Sequence, residues 1–379
     1  MKNANVFKLF IAIGVTFFLA GFACYNPFLR IKPKNEPDTY REPKGWVVST
    51  IAGNGPIGRE NGGFADGPGD AARFNRPEGV AIDKSGNVYV AELDGNRVRK
   101  ITPDGNVATF TGNGTPGYDN GPVAEAKFRG LIGITIDAFG TLFLCDIGNQ
   151  MIRKISTDGY VSTLAGSGVH GYADGQGSEV KFYHPYGVAV DQSGNVYVSD
   201  FHNFRIRKIT PSGYVSTLAG SVPTDSAYDG GFADGPGDVS LFNRLIGIAI
   251  DSHGNLFVED NNRIRKITPG GYVSTFAGSG TPGYADGQGD SAQFYGFGAV
   301  AIDKYDNIYV FDRSNSRVRM ITPGGKVSTI AGDGTAGLKD GQGAEAQFNY
   351  AYGIAIDTKG NVYVADTENH RIRKIEPYY

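Results

Sequence analysis

From Trp46 onward, short apolar runs alternate with polar turn residues in one recurring order. GVAID leads through a turn such as KSGN to VYVA, a loop such as ELDGN leads to RVRKI, and a TPDG turn leads to a VSTLAG-type run. Each run has the length and β-branched content of a strand, and the intervening Asp-Gly and Pro-Gly pairs are turn chemistry. The unit recurs as GVAIDKSGNVYVAE, GITIDAFGTLFLCD, GVAVDQSGNVYVSD, GIAIDSHGNLFVED, AVAIDKYDNIYVFD and GIAIDTKGNVYVAD. Asp83, Asp137, Asp191, Asp251, Asp303 and Asp357, which close the first strands, lie 54, 54, 60, 52 and 54 residues apart. A period of this length predicts stacked supersecondary units. A unit of four antiparallel strands predicts a β-propeller blade.

The fold expected is therefore all-β, a six-bladed propeller of four-stranded blades over residues 46–379. VSTLAG-type strands occur six times, but the first precedes blade one and the last blade has none. Val47 to Ala52 is accordingly expected to complete blade six and remove an unpaired edge. Blades one and four share GGFADGPGD, two and five share GTPGY, and three and six share DGQG. Separations of 168, 166 and 166 residues imply a duplicated three-blade half. Runs such as GIAIDTKGNVYVADTENHRIRKI, Gly353 to Ile375, closely resemble NHL repeats, in all six copies. Leu131, Leu245, Phe297 and Ala351 replace the proline usual before the first strand of that family, and Glu92 replaces the aspartate usual after the second.

Composition agrees with a turn-rich β protein, since the 56 glycines among 379 residues are twice the usual share of about 7 percent. The net charge is −3, but residues 1–45 hold seven Lys/Arg against three Asp/Glu, so the remainder carries −7. An acidic body argues against nucleic acid as partner, and the RxRK runs are expected to pair with neighbouring acids.

Residues 1–24 read as an export signal. Leu9 to Ala23 is uncharged, and at 1.5 Å per residue is shorter than the roughly 30 Å hydrocarbon core of a bilayer. GFAC, ending at Cys24, resembles a bacterial lipoprotein cleavage box, which implies lipidation of Cys24 and a membrane tether. Phe22 and Gly21 depart from that pattern, and plain cleavage of the leader stays open beside lipidation. Residues 25–45 carry four prolines and form a spacer between the cell envelope and the propeller. Cys145, the one other cysteine, reads as a buried small hydrophobe.

The connections between blades, and those from second to third strand, emerge on one side of the disc, where variable loops serve binding. The residue two before each innermost aliphatic falls at the channel mouth: Glu78, Ile132, Tyr186, Ile246, Gly298 and Tyr352, with Phe297 as the blade-five candidate side chain. These residues either plug the channel, the reading that packing favours, or line a shallow pocket with Glu78 as its charged contact. Asp66, Asp174, Asp234, Asp286 and Asp340, with Asn120, read as turn formers rather than calcium ligands. Phe74, Phe128, Phe182, Phe242, Phe294 and Phe348, one per blade, read as core. His170, His184 and His202 cluster on blade three as weak metal candidates. Resemblance to an amidating lyase of this fold would imply histidine-bound zinc, but there the ligands come from several blades. Gluconolactonase-like propellers would imply calcium at positions equivalent to Glu78, but Asn or Asp is missing from the other mouth positions. The five GxGxxG runs lack the helix and parallel sheet of a dinucleotide site. The expectation is a binding scaffold for a protein or small molecule, with no cofactor. The alternative is a metal-dependent hydrolase or lyase at the channel mouth.

Overall fold

A computed structural model describes residues 40–222 and 230–379, apart from the side chain of Phe297. The leader, Cys24 and most of the spacer lie outside the described residues. Within residues 42–379 six antiparallel sheets form the blades of an all-β propeller. Blade one shows the recurring order: an innermost strand Pro77–Ile82, then Val88–Glu92, Arg97–Ile101 and Asn106–Thr111. The second strand is buried along its whole length in every blade, because each sheet is covered on both faces by its neighbours. The outer strands are only half-buried, with exposed residues among the core ones.

The sheets differ from the four-stranded expectation at their outer edge. DGxG residues, read in the sequence as turns, also add a two-residue fifth strand, such as Gly67–Pro68 on Asn106–Thr111. Blade four alone keeps four strands, with a single bridge between Gly235 and Val273 instead. In the last blade Gly45–Ala52 lies antiparallel to Arg371–Tyr378, with Gly45 opposite Tyr378 and Val48 opposite Ile375.

The tight-turn side is built by aspartate. Asp83 accepts from the backbone N–H groups of Ser85 and Asn87, both at 2.9 Å, and from Asn87 Nδ2 at 2.7 Å. The same turn recurs at Asp191, Asp251, Asp303 and Asp357. It satisfies backbone donors that the short connection leaves unpaired.

Between blades, the six phenylalanines are fully buried, each under the guanidinium of a third-strand arginine. Arg99, Arg153, Arg207, Arg265, Arg319 and Arg373 have no exposed surface. Arg207 donates to Asp200 at 2.7 Å, to Asp174 at 2.5 Å and to the carbonyls of Lys181 and Ala173 at 3.2 and 2.8 Å. The loop aspartates thus do more than turn the chain: each clamps the interblade loop onto a buried cation, with Asn120 substituting in blade two at 2.8 Å. The arginine and the strand-closing acid of such a cluster are fully buried, so either would be stranded away from water if it lost the other, whereas the loop aspartate stays partly exposed.

Candidate functional site at the channel mouth

The innermost strands pack around a common axis, each opening on the long-loop side with a glycine-containing bulge. A Cβ on Gly79, Gly133, Gly187 or Gly353 would lie 2.1–2.3 Å from the next blade's mouth carbonyl, so only glycine fits there. The side chain just before each of these glycines is thereby aimed into the opening.

Glu78, Ile132, Tyr186, Ile246 and Tyr352 all bound this cavity. Blade five departs from the rule. Gly298 directs its missing Cβ at the Tyr352 carbonyl, 2.3 Å away, and Ala299, the equivalent of Gly79 and its counterparts, borders the cavity in blade five. The Phe297 side chain lies outside the described part of the structure. Tyr186 and Tyr352, from blades three apart, face each other with ring centroids 6.3 Å apart. The room that remains is about 50 Å³, space for a few waters. That is well below the roughly 300–1,000 Å³ of an enclosed small-molecule pocket.

A second tier stands above the first, and the sequence reading did not assign it. The residue after each second-strand acid is Leu93, Ile147, Phe201, Arg313 and Thr367 in blades one, two, three, five and six. Leu93, Ile147 and Phe201 pack on Ile132, Ile246, Tyr186 and Tyr352 as one apolar cluster. Arg313 lies over the Tyr350 ring at 4.4 Å and the Tyr352 ring at 5.7 Å. Their fixed position directly after the strand-closing acid was the available signal. Blade four has a shorter loop there and contributes no equivalent.

The mouth is thus divided. Blades two and three present an apolar wall, and blades one and five present charge in Glu78 and Arg313. Glu78 is 4 percent exposed and accepts a 3.2 Å bond from Arg76, itself bonded to Asp94 at 3.2 Å. Burial pushes the Glu78 carboxyl up to about 7, beyond what Arg76 and Arg313 recover. Arg76 sits at a left-handed backbone position, φ 52°, where its N–H donates to His370 Nδ1 at 3.2 Å. The other His370 nitrogen meets the Gly58 carbonyl at 2.8 Å, so the neutral Nε2–H tautomer joins blade six to blade one's long loop. The Tyr352 hydroxyl is buried and has no hydrogen-bond partner among the described residues. Burial, aided by the neighbouring Tyr186 and Glu78, raises its pKa well above that of free tyrosine. Glu259 occupies the place of Ala91, Cys145 and Ser199 in other blades, buried, with one oxygen unpartnered. Burial and adjacent Asp260 hold it well above the usual carboxylate range.

The blade-three histidines do come together. His184 and His202 have ring centroids 4.8 Å apart, and Tyr183 lies within 5.2 Å of both and of His170. They meet ring to ring, and among the described residues no group of three or more His, Cys, Asp or Glu side chains is arranged to hold a metal ion. Burial lowers the pKa of His184 and His202, each further by its neighbouring imidazole.

The NHL repeat model matches residues 74–101, 182–209 and 348–375, which are equivalent stretches of blades one, three and six. Three blades thus carry NHL repeats, within a six-bladed β-propeller. Among curated relatives this propeller is 28 percent identical over 275 residues to the protein SUPPRESSOR OF QUENCHING 1, chloroplastic, of Arabidopsis thaliana, covering 68 percent of the chain and 26 percent of that relative. It is 26 percent identical to NHL repeat-containing protein 2 of Bos taurus, over 79 percent of the chain and 46 percent of that relative. The NHL propeller therefore spans less than half the length of these relatives. Among solved structures, an auxiliary nutrient binding protein of Bacteroides ovatus superposes with TM-score 0.65 at 20 percent identity, over 88 percent of this chain and 77 percent of that one. A catalytically inactive virginiamycin B lyase of Staphylococcus aureus, solved with quinupristin, gives 0.51 at 14 percent identity, over 87 and 99 percent. At these identities the likeness is one of fold.

Proposed function

We propose that this NHL propeller is a binding scaffold, exported and tethered to a membrane through lipidated Cys24, that captures a ligand or partner on its long-loop face. The observation that carries the reading is the unfinished chemistry of the mouth. Glu78 is buried at an opening, and beside it the Tyr352 hydroxyl lacks a partner. Buried polar groups are ordinarily satisfied, so such atoms at a concave surface are suited to a group that arrives from outside. The Bacteroides structure described as an auxiliary nutrient binding protein supports the reading by sharing the fold.

In this proposal residues 1–24 are the leader and residues 25–45 the spacer that holds the disc off the membrane. Amide exchange of the full chain, with and without small-molecule fractions of its host's growth medium, tests the binding face. Protection confined to the segments around Glu78, Tyr186, Arg313 and Tyr352 is the expected result. Protection on the tight-turn side instead would overturn it. For the tether, labelled palmitate is expected in the parent chain and not in Cys24→Ser.

A further inference from the structure

Across the long-loop face runs an unbroken series of ring contacts. It starts at the rim of blade three, where His170 meets Tyr183 at 5.1 Å. Tyr183 meets His202 at 4.7 Å, His202 meets Phe201 at 4.7 Å, and Phe201 meets Tyr186 at 4.9 Å. The series then crosses the axis from Tyr186 to Tyr352 at 6.3 Å and ends with the Arg313 guanidinium over Tyr352 and the exposed Tyr350. No other blade repeats it, because blades one and two carry Leu93 and Ile147 where blade three has Phe201.

We infer that this track is an oligosaccharide-binding platform, on which successive pyranose rings lie against Tyr183, Phe201, Tyr186 and Tyr350 while their hydroxyls meet Glu78, Arg313 and the Tyr352 hydroxyl. The inference rests on the proposed use of the long-loop face and names its ligand class. Three features select a sugar. The cavity of about 50 Å³ is too small for the deep anchor pocket on which peptide side chains depend, so the ligand is one that lies flat. Tyr183, Tyr186 and Tyr350 each offer an apolar face beside a polar hydroxyl edge, and Phe201 adds a purely apolar face, which together match pyranoses with their C–H faces and rims of hydroxyls. The partnerless Tyr352 hydroxyl, buried at the centre of the track, is a donor and acceptor ready for a neutral hydroxyl. The body's net charge of −7 over residues 46–379 disfavours a nucleic acid strand, which also stacks on aromatic rows.

The test is a glycan array of linear and branched hexopyranose oligosaccharides, probed with the full chain, followed by calorimetry on the best binder. Phe201→Ala and Tyr183→Ala are expected each to weaken binding about three- to tenfold, the range for loss of one aromatic stack. Tyr352→Phe keeps the ring and is expected to weaken binding by a similar factor. Tyr284→Ala, an exposed ring outside the track, leaves binding unchanged. A blank array, or binding that survives Phe201→Ala, overturns the sugar assignment. If the array is blank but a displayed peptide library yields binders that Phe201→Ala abolishes, the face-binding proposal stands and the sugar does not. If neither panel yields a ligand sensitive to that substitution, both fall.

Discussion

The interblade clamps and the channel mouth obey opposite rules. Around the rim the same arrangement of arginine, acid, loop oxygen and phenylalanine recurs with every blade, and the six arginines are equally buried. At the mouth no two adjacent blades offer the same residue: Glu78, Ile132, Tyr186, Ile246, Gly298 and Tyr352 share a position and little chemistry. A clamp that serves only to join sheets has no reason to differ from its copies. A position that varies while its backbone stays fixed is free of that duty, and this one is where Glu78 and the Tyr352 hydroxyl are held away from water.

The contrast is broken most directly by removing one cation from each region. Arg207→Met strands Asp200 in the core and is expected to cost about 3–5 kcal/mol in urea unfolding, whereas Arg313→Ala at the mouth is expected to cost under about 1 kcal/mol. Equal costs would erase the distinction.

The next effect belongs to Glu78. Its folded pKa of about 7 stands above the free value of 4.5, so the folded state holds the proton more tightly. The stabilising effect of that proton is fully present below about pH 4.5, declines as pH rises, and is gone above about pH 7, a change of roughly 3 kcal/mol. Glu78→Gln is expected to remove this decline, so parent and variant should converge at acid pH, with the variant more stable at pH 8. Parallel stability curves would show that Glu78 is not the group responsible.

A smaller effect probes the clamp that deviates. In blade one Glu92 reaches Arg99 at 3.4 Å with its second oxygen unpartnered, and burial raises its pKa to about 7, against about 6 for Asp146, Asp200 and Asp366. Gly95 stands where blades two, three, five and six have an asparagine bonded to that acid, and a Cβ on it would meet Glu92 at 2.6 Å. Gly95→Asn alone is expected to cost about 1–3 kcal/mol, and adding Glu92→Asp to recover most of it. Additive losses would mean that the two positions are uncoupled. The smallest effect is that of Tyr352→Phe on unfolding, expected within about 0.5 kcal/mol because the hydroxyl has no bond to lose.

Repetition made the propeller legible: the spacing of Asp83 and its counterparts set the blade number, and the rule of two residues before the inner aliphatic led to Glu78, Ile132, Tyr186, Ile246 and Tyr352. The rule failed at blade five because Gly298 takes the close-packed bulge position there and has no side chain to offer the opening. Phe201 and Arg313 were missed for a different reason. Each follows a strand-closing acid, and a loop residue reveals which way it faces only once the loop is folded. The role of Asp66 and its counterparts as clamps was readable in principle. A gap of 33 residues separates Asp66 from Arg99, Asp174 from Arg207, Asp286 from Arg319 and Asp340 from Arg373, and it narrows to 31 in blade four, whose loop is shorter. Asp-Gly is so common a turn pair that the longer correlation was hidden.

The pairing of Gly45–Ala52 with Arg371–Tyr378 imposes an order of events on the newborn polypeptide. Its first strand has to wait for nearly the whole of the remaining sequence to be made before its partner exists. Five sheets are free to assemble meanwhile from local contacts, but the circle stays open, with Val47 to Ile51 lacking this partner, until Arg371–Tyr378 arrives. A chain that lost its final strand would leave two raw edges side by side. Its natural fate is to lend one of them to a neighbour of the same kind.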